Sequence, residues 1–492
     1  MRVDRVFKGS PLIAPNWELI GLGLLLAVYL VADTVFGAAS ADLLNIIGPA
    51  CLTGVLSLGA LRMLLLDTGA VWTALFWFRV SVAVYFGGGA LVPLLGTAET
   101  RAYLEAHYLF FSEEMEKLNV IVVVGCLTVL ASANVHHLFV RGQTERPQQV
   151  PQKGSSGRNL LAAGLFFLVL GGTVKYLFTV PQMLRLTDFV LPGAVGAIGN
   201  FTYAAVFFLT AWSYENAKGA LPVVILFVAA ELLVGILALT KTEVLTVLMM
   251  FLLGFLRRKV PLPRLGLIAG IMLLCYLALQ PIIDEGRAEQ LRRYAGYQGG
   301  DLSERLDMLR LALNNLSGTD TSTGIQPYLV RISYVNTAVF AIREYDSGHP
   351  GDSLALFLSV FVPRFLWPDK PIITQVAVDF NFAATGIGTS ASSPGLFAEA
   401  YWNLGWPGVV LLMIPYGIIL GALTDYTLAK FRLEQWLYFP VVILGMRIGF
   451  RTDGFYVADV VGGLVILICL HIVLKLFERF VLPIVRPAIA RV

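Results

Sequence analysis

The residues best suited to chemistry are charged side chains set in or beside apolar runs. Lys241 interrupts "GILALTKTEVLTVLMM", and Arg331 and Arg343 lie on the amphipathic stretch "YLVRISYVNTAVFAIREY". Arg364, Asp369 and Lys370 stand in "VPRFLWPDKP", Glu399 opens an apolar run, and Arg447, Arg451 and Asp453 bracket a turn between two others. An arginine fork donates two parallel hydrogen bonds, which suits a diphosphate or a carboxylate. A carboxylate such as Glu399, Asp369 or Asp453 could take a proton from a hydroxyl. The plainer reading is that these arginines pair with neighbouring carboxylates and bind lipid headgroups. Trp367 and Tyr401 offer rings that could stack on sugars or anchor the chain at a membrane interface.

The surrounding chain is apolar. Of 492 residues, 57% are hydrophobic and 14% charged, against about 25% charged in soluble domains, and the mean hydropathy is +0.74. A net charge of +3 gives no support to a nucleic-acid partner. Cys51, Cys126, Cys275 and Cys469 lie far apart in apolar segments, a pattern of neither disulfides nor metal ligands. No P-loop, His-Glu-x-x-His or Gly-x-Ser-x-Gly motif occurs, so no metal or cofactor is expected. His136 and His137, at a helix end, are read as solvated or headgroup-facing.

Apolar windows fall near 17–36, 43–65, 70–95, 118–139, 159–180, 188–213, 219–240, 243–256, 265–283, 400–424, 434–450 and 455–475. Only helices satisfy their own backbone in lipid, so these predict an all-α polytopic membrane protein of about twelve spans. The first window is long enough to span and is read as an uncleaved helix rather than a signal peptide. Lys and Arg cluster before the first window and after the fourth, eighth, tenth and twelfth. An alternating path puts all five clusters on one side, which predicts cytoplasmic termini.

The expected division is then 1–283 with nine spans, 284–399 as a large extracytoplasmic loop, and 400–492 with three spans and a tail. Within the loop, "DLSERLDMLRLALNNL" predicts a helix capped by Asp301 and Glu304, with Leu302, Leu306, Leu309, Leu313 and Leu316 on its apolar face. Leu329, Ile332, Val335, Val339 and Ile342 predict a second. Leu354 to Val362 is too short to span, and "GIGTSASSPG" supplies turn residues. Residues 284–353 hold seven Arg against ten Asp or Glu, so only specific placement, not bulk charge, could bind an anion. Arg79 and Glu231 lie deep in apolar windows, where charges need a partner or a cavity; an ion pair between them is expected.

"PRFLWPDKP" resembles the Pro-Arg-x-x-Trp-Pro-x-Lys-Pro signature of bacterial oligosaccharide repeat-unit polymerases, the Wzy-type O-antigen polymerases. "SPGLFAEAYWNLGWPGVVLLMIPYGIILG" is similar to the same family's Glu-x-Tyr-x-Asn-x-Gly segment, "LTKTEVLTVLMMFLLGF" to its basic helix opening, and Arg331 to an Arg before the signature. The similarity is firmest over roughly 225–425. It implies a GT-C-like helical bundle in the bacterial inner membrane that joins undecaprenyl-diphosphate-linked oligosaccharides at the outer leaflet, without nucleotide sugars. Membrane lipids and a chain-length regulator would be its partners. Under that reading Lys241, Arg331, Arg364, Arg447 and Arg451, with Lys370 as a weaker member, would bind diphosphate. Glu399 is the first candidate base, followed by Asp369 and Asp453, and Trp367 and Tyr401 would contact sugar. A ligase that moves glycan onto lipid A core or protein shares this donor, and a lipid-linked glycan flippase is the alternative of another class.

Overall fold

A computed structural model describes residues 16–36, 41–108, 114–141, 156–187, 189, 191, 193–256, 261–294, 300–318, 326–362, 366–367, 369–373, 375–388, 391–433, 435–481 and 483. Among these residues the chain is helical, with no strand. The principal helices are α1 (Asn16–Phe36), α2 (Ala41–Leu66), α3 (Ala74–Leu95), α4 (Ala98–Tyr108), α5 (Met115–Arg141), α6 (Ser156–Val174), α7 (Phe201–Asn216), α8 (Leu221–Leu237) and α9 (Lys241–Gly254). They continue with α10 (Leu262–Tyr294), α11 (Leu302–Gly318), α12 (Gln326–Ile332), α13 (Val335–Asp346), α14 (Gln375–Thr385), α15 (Leu396–Arg432), α16 (Phe439–Phe450) and α17 (Gly462–Leu476).

Among the described residues, eight helical segments are long and apolar enough to cross a bilayer, which makes this a polytopic helical membrane protein. The other four apolar windows are helical too, but shorter. α1 and α16 keep apolar cores at Trp17–Ala32 and Trp436–Phe450, and α7 and α9 run for only 16 and 14 residues. Among the described residues, eight of the twelve apolar windows thus hold a helix long enough to span.

The chain divides into two compact units. The first comprises 1–149, 323–434 and 441–472; the second comprises 150–322, 435–440 and 473–492. Neither expected loop boundary coincides with an element end. Residue 283 lies inside the 33-residue α10, residue 399 lies inside α15, and the stretch 284–399 is shared between the units.

In the first unit α15 packs along α5. A Cβ at Gly417 would lie 2.1 Å from Ser132 Oγ and 2.3 Å from the Val129 carbonyl, and Gly421, one turn on, faces Ala133 and His136. This is the small-residue spacing that lets membrane helices approach backbone to backbone. At the same seam His137 Nδ1 lies 3.0 Å from Asp425 Oδ1 and His136 Nε2 3.8 Å from Oδ2. The two histidines therefore share a carboxylate across α5 and α15 instead of facing headgroups.

The charges deep in apolar helices find partners that sequence spacing did not indicate. Arg79 does not pair with Glu231. Its guanidinium donates to both oxygens of Glu18 at 2.7 and 2.9 Å, with both side chains at most 1% exposed. Glu231, in the second unit, accepts from Lys175 Nζ at 2.7 Å, Tyr176 Oη at 2.6 Å and Thr202 Oγ1 at 3.0 Å. Each ion thus has an opposite charge or several donors close by, as burial requires.

The capping box that opens α11 forms as the spacing predicts. The Asp301 amide donates to Glu304 Oε2 at 2.8 Å, and the Glu304 amide to Asp301 Oδ1 at 2.9 Å. The Glu304 amide, helped by the Ser303 hydroxyl, holds the Asp301 carboxyl below its usual range. The expected leucine face, however, is not the packed one. Leu302, Leu306 and Leu313 are about half exposed, while Arg305, Met308 and Ala312 are buried. Arg305 reaches inward because its guanidinium donates to the Leu237 carbonyl at the end of α8 and to Gly300. That satisfies a helix terminus which would otherwise carry an orphan acceptor. The exposed leucines suit an interfacial helix. In α13 the expected face does pack: Val335, Val339 and Ile342 are fully buried.

Candidate functional site

The turn between α16 and α17 gathers charge in the first unit. Its residues run "RTDG", and Asp453 is only 6% exposed. Arg451 donates through Nε and Nη2 to the two oxygens of Asp459, at 3.1 and 3.3 Å. Its Nε also stands 3.6 Å from Asp453 Oδ1. Burial alone would lower the Arg451 pKa, but the carboxylates of Asp453 and Asp459 outweigh it and hold the guanidinium above its usual range. Gly454 makes this geometry possible. A Cβ there would lie 2.1 Å from Asp459 Oδ2, inside any tolerable contact.

Tyr334, between α12 and α13, joins the turn from the side. Its hydroxyl hydrogen-bonds the Asp453 carboxylate, and its ring packs edge-on to Tyr85 with centroids 5.0 Å apart. Burial pushes the Asp453 carboxyl up, Arg451 and the Tyr334 hydroxyl pull it down, and Asp459 raises it again; the net direction is up. Asp453 Oδ1 is buried and accepts no hydrogen bond among the described residues. A buried acceptor oxygen without a donor is costly unless a ligand or water supplies one. Burial also pushes the Tyr334 hydroxyl up, as does Asp453, while the nearby charge of Arg331 draws it down. Arg331 and Arg447 are both exposed.

Glu399 lies beside this turn, because the Leu396 amide that opens α15 donates to the Thr452 carbonyl at 2.9 Å. The glutamate is fully buried. Oε1 accepts from Ser353 Oγ at 2.6 Å, and Oε2 from the Tyr456 amide. Asn403 completes the bracket, donating to Ser353 Oγ and to the Glu399 carbonyl, both at 2.9 Å. Its Oδ1 accepts from the Leu354 amide at 3.3 Å. Glu399 and Asn403 of the "EAYWNLG" motif therefore tie the loop at 353–354 to the turn at 452–456. With both oxygens hydrogen-bonded, Glu399 ties this junction together. Asp453 Oδ1, also buried, accepts no hydrogen bond among the described residues and faces only the Arg451 guanidinium at 3.6 Å.

The remaining expected residues divide. Tyr401 presents no open ring face for a sugar. It is 3% exposed, with Tyr345 and Trp406 at centroid distances of 5.0 and 5.6 Å and the Lys117 ammonium 4.7 Å over the ring. Its hydroxyl donates to Asp346 at 2.9 Å. Lys370 Nζ donates to the Val362 carbonyl at 3.0 Å, which folds "VPRFLWPDKP" back on itself. Trp367 is 42% exposed and Asp369 is exposed. Arg364 lies outside the described residues. Lys241 belongs to the second unit, where it donates to Gln280 Oε1 and Asp284 Oδ1, both at 2.7 Å.

Four contributors escaped the sequence reading: Tyr334, Ser353, Asn403 and Asp459. Asp459 carried a usable signal, being a carboxylate just inside an apolar helix, where a charge needs a partner. Ser353 and Tyr334 carry no signal without the fold, because short polar residues and tyrosines are ordinary in loops. No protein-family model, curated protein or solved structure matches the chain.

Proposed function

We propose that this protein is a membrane glycosyltransferase that lengthens glycans carried on undecaprenyl diphosphate. It would join repeat units into surface polysaccharide at the outer leaflet of a bacterial inner membrane. The observation that carries this reading is the α16–α17 turn, where the buried Asp453 Oδ1 accepts no hydrogen bond among the described residues and stands 3.6 Å from Arg451 Nε, and exposed Arg331 and Arg447 stand on the elements that frame it. The resemblance of residues 363–371 and 393–421 to repeat-unit polymerases points to the same chemistry.

In this reading Asp453 takes the proton of the acceptor hydroxyl as that oxygen attacks the anomeric carbon of the donor. The new C–O bond forms as the bond to the diphosphate breaks. The leaving diphosphate is met by Arg331 and Arg447, whose cations gain most as its charge develops. Arg451 is held by Asp459 and keeps Asp453 in place rather than binding substrate. The enzyme's main task is to align two bulky substrates.

The test supplies purified protein in liposomes with lipid-linked repeat units and no nucleotide sugar. A ladder of longer lipid-linked glycans is expected; folded protein that makes none refutes the proposal. A lipid A core acceptor added to the same assay separates polymerase from ligase. The flippase reading loses its motivating residues, since Arg79 and Glu231 each have a buried local partner.

A further inference from the structure

The first unit also holds a groove of about 540 Å3, bounded by the turn at 352–356, by Pro371 and Ile372, and by α14. This is within the size of small-molecule clefts, roughly 300–1,000 Å3. Its chemistry is the reverse of the cationic turn. Asp352, Gln375 and Asp379 supply the polar groups, Phe380 and Trp402 the rings, and no lysine or arginine lines it among the described residues. Gln375 Nε2 donates to Asp379 Oδ1 at 2.9 Å, which orients that carboxylate. Trp402 is fixed edge-on to Phe380 at 5.2 Å, with its indole N–H on the His349 carbonyl at 3.2 Å.

Two carboxylates without a counter-cation repel a diphosphate. They accept hydrogen bonds from hydroxyls, being acceptors only when ionised. An aromatic ring flanked by such acceptors matches a pyranose, which shows a C–H face to the ring and hydroxyls at its edge. The groove also adjoins the turn. Phe380 contacts Phe455 at 6.1 Å, two residues beyond Asp453, and Ser353, next to Asp352, is the donor to Glu399.

We infer that this groove is a sugar-binding subsite, which holds neutral rings of the lipid-linked glycan while its diphosphate-bearing end meets the cations at the turn. The inference rests on the polymerase reading, and it assigns the end of the "PDKP" stretch a place on the subsite rim through Pro371.

The test is protection of a cysteine placed in the groove. Ala383 lines it and is exposed. Ala383→Cys is made in protein whose exposed Cys51 and Cys469 are replaced by alanine, and is labelled with a charged, water-soluble thiol reagent. Three probes are added: the lipid-linked glycan fraction of the source organism, the same glycans released from the carrier, and undecaprenyl diphosphate alone. The two glycan probes should slow labelling ~10-fold when free ligand stands at about ten times its Kd, and the bare carrier should not. Trp402→Ala and Asp379→Asn should abolish the protection, read as the ratio of labelling rates with and without ligand within each variant. Equal protection by the bare carrier, or none by the glycans, overturns the subsite. The readout needs no turnover, so protection without chain growth refutes the polymerase reading alone, and growth without protection refutes the subsite alone.

Discussion

Replacing Glu18 by leucine strands Arg79 in the core of the first unit. The guanidinium is 1% exposed and loses both of its carboxylate bonds, of 2.7 and 2.9 Å. The contacts left to it are the Leu75 carbonyl at 3.1 Å and the Met63 sulfur at 3.3 Å. Breaking one side of a buried pair costs about 3–5 kcal/mol, because the remaining charge stays desolvated. Removing both charges is different: apolar replacement of a whole buried pair is neutral or stabilising by roughly 1–4 kcal/mol. The Glu18→Leu variant should therefore unfold in mild detergent far below the parent, and Glu18→Leu combined with Arg79→Leu should recover most of that loss. Tryptophan fluorescence against denaturant reads both, and the cycle isolates the coupling. The double variant should also extend glycans at the parental rate, since the pair is structural. If the single change costs less than about 1 kcal/mol, or the double variant is the less stable of the two, the account of this pair as a closed buried ion pair is wrong.

Other outcomes follow from the turn. Asp453→Asn should lower the elongation rate by roughly 10²–10⁴, the usual worth of a general base, without loss of fold. Because burial raises the folded pKa of Asp453, the parent's activity should fall toward acid with its inflection above the ordinary carboxylate range. The sign for stability is the opposite: the folded state binds this proton more tightly than the unfolded, so this group's contribution is greatest at acid pH and is lost as pH rises through its folded pKa. Comparing unfolding midpoints of the parent and Asp453→Asn across pH checks it. Arg447→Ala should weaken substrate binding with an unchanged unfolding midpoint, whereas Arg451→Ala should lower the midpoint because Asp459 and Asp453 lose their cation. Gly454→Ala should mimic Arg451→Ala by pushing the Asp459 carboxylate out of its place, seen as a lower midpoint and lost elongation.

Properties that depend on neighbours along the chain could be read from the sequence. Each of the twelve apolar windows contains helix among the described residues, because a hydrophobic run in lipid has no other way to satisfy its backbone. The Asp301–Glu304 cap forms because its partners are three residues apart, so one turn of helix dictates the contact. The grouping of Arg451, Asp453 and Glu399 was foreseeable in outline, since the first two share one turn and the third opens the helix beside it.

What tertiary structure alone decided were the pairings. The sequence showed that Arg79 and Glu231 each needed a partner, but Glu18 and Lys175 lie on other helices, and periodicity says nothing about which helices meet. Helix faces raised the same difficulty. Leucine spacing marks where α11 is apolar, yet a membrane protein can turn that face outward and pack Arg305 inward, because lipid and core are equally apolar solvents. The roles of the two carboxylates depended on packing too. Glu399 and Asp453 look alike in sequence, but Ser353 and the Tyr456 amide donate to both oxygens of the first, while among the described residues Oδ1 of the second receives no hydrogen bond and faces only the Arg451 charge. Burial and hydrogen-bond supply are set by segments 46 to 68 residues away along the chain in these cases, and only the folded arrangement brings them together.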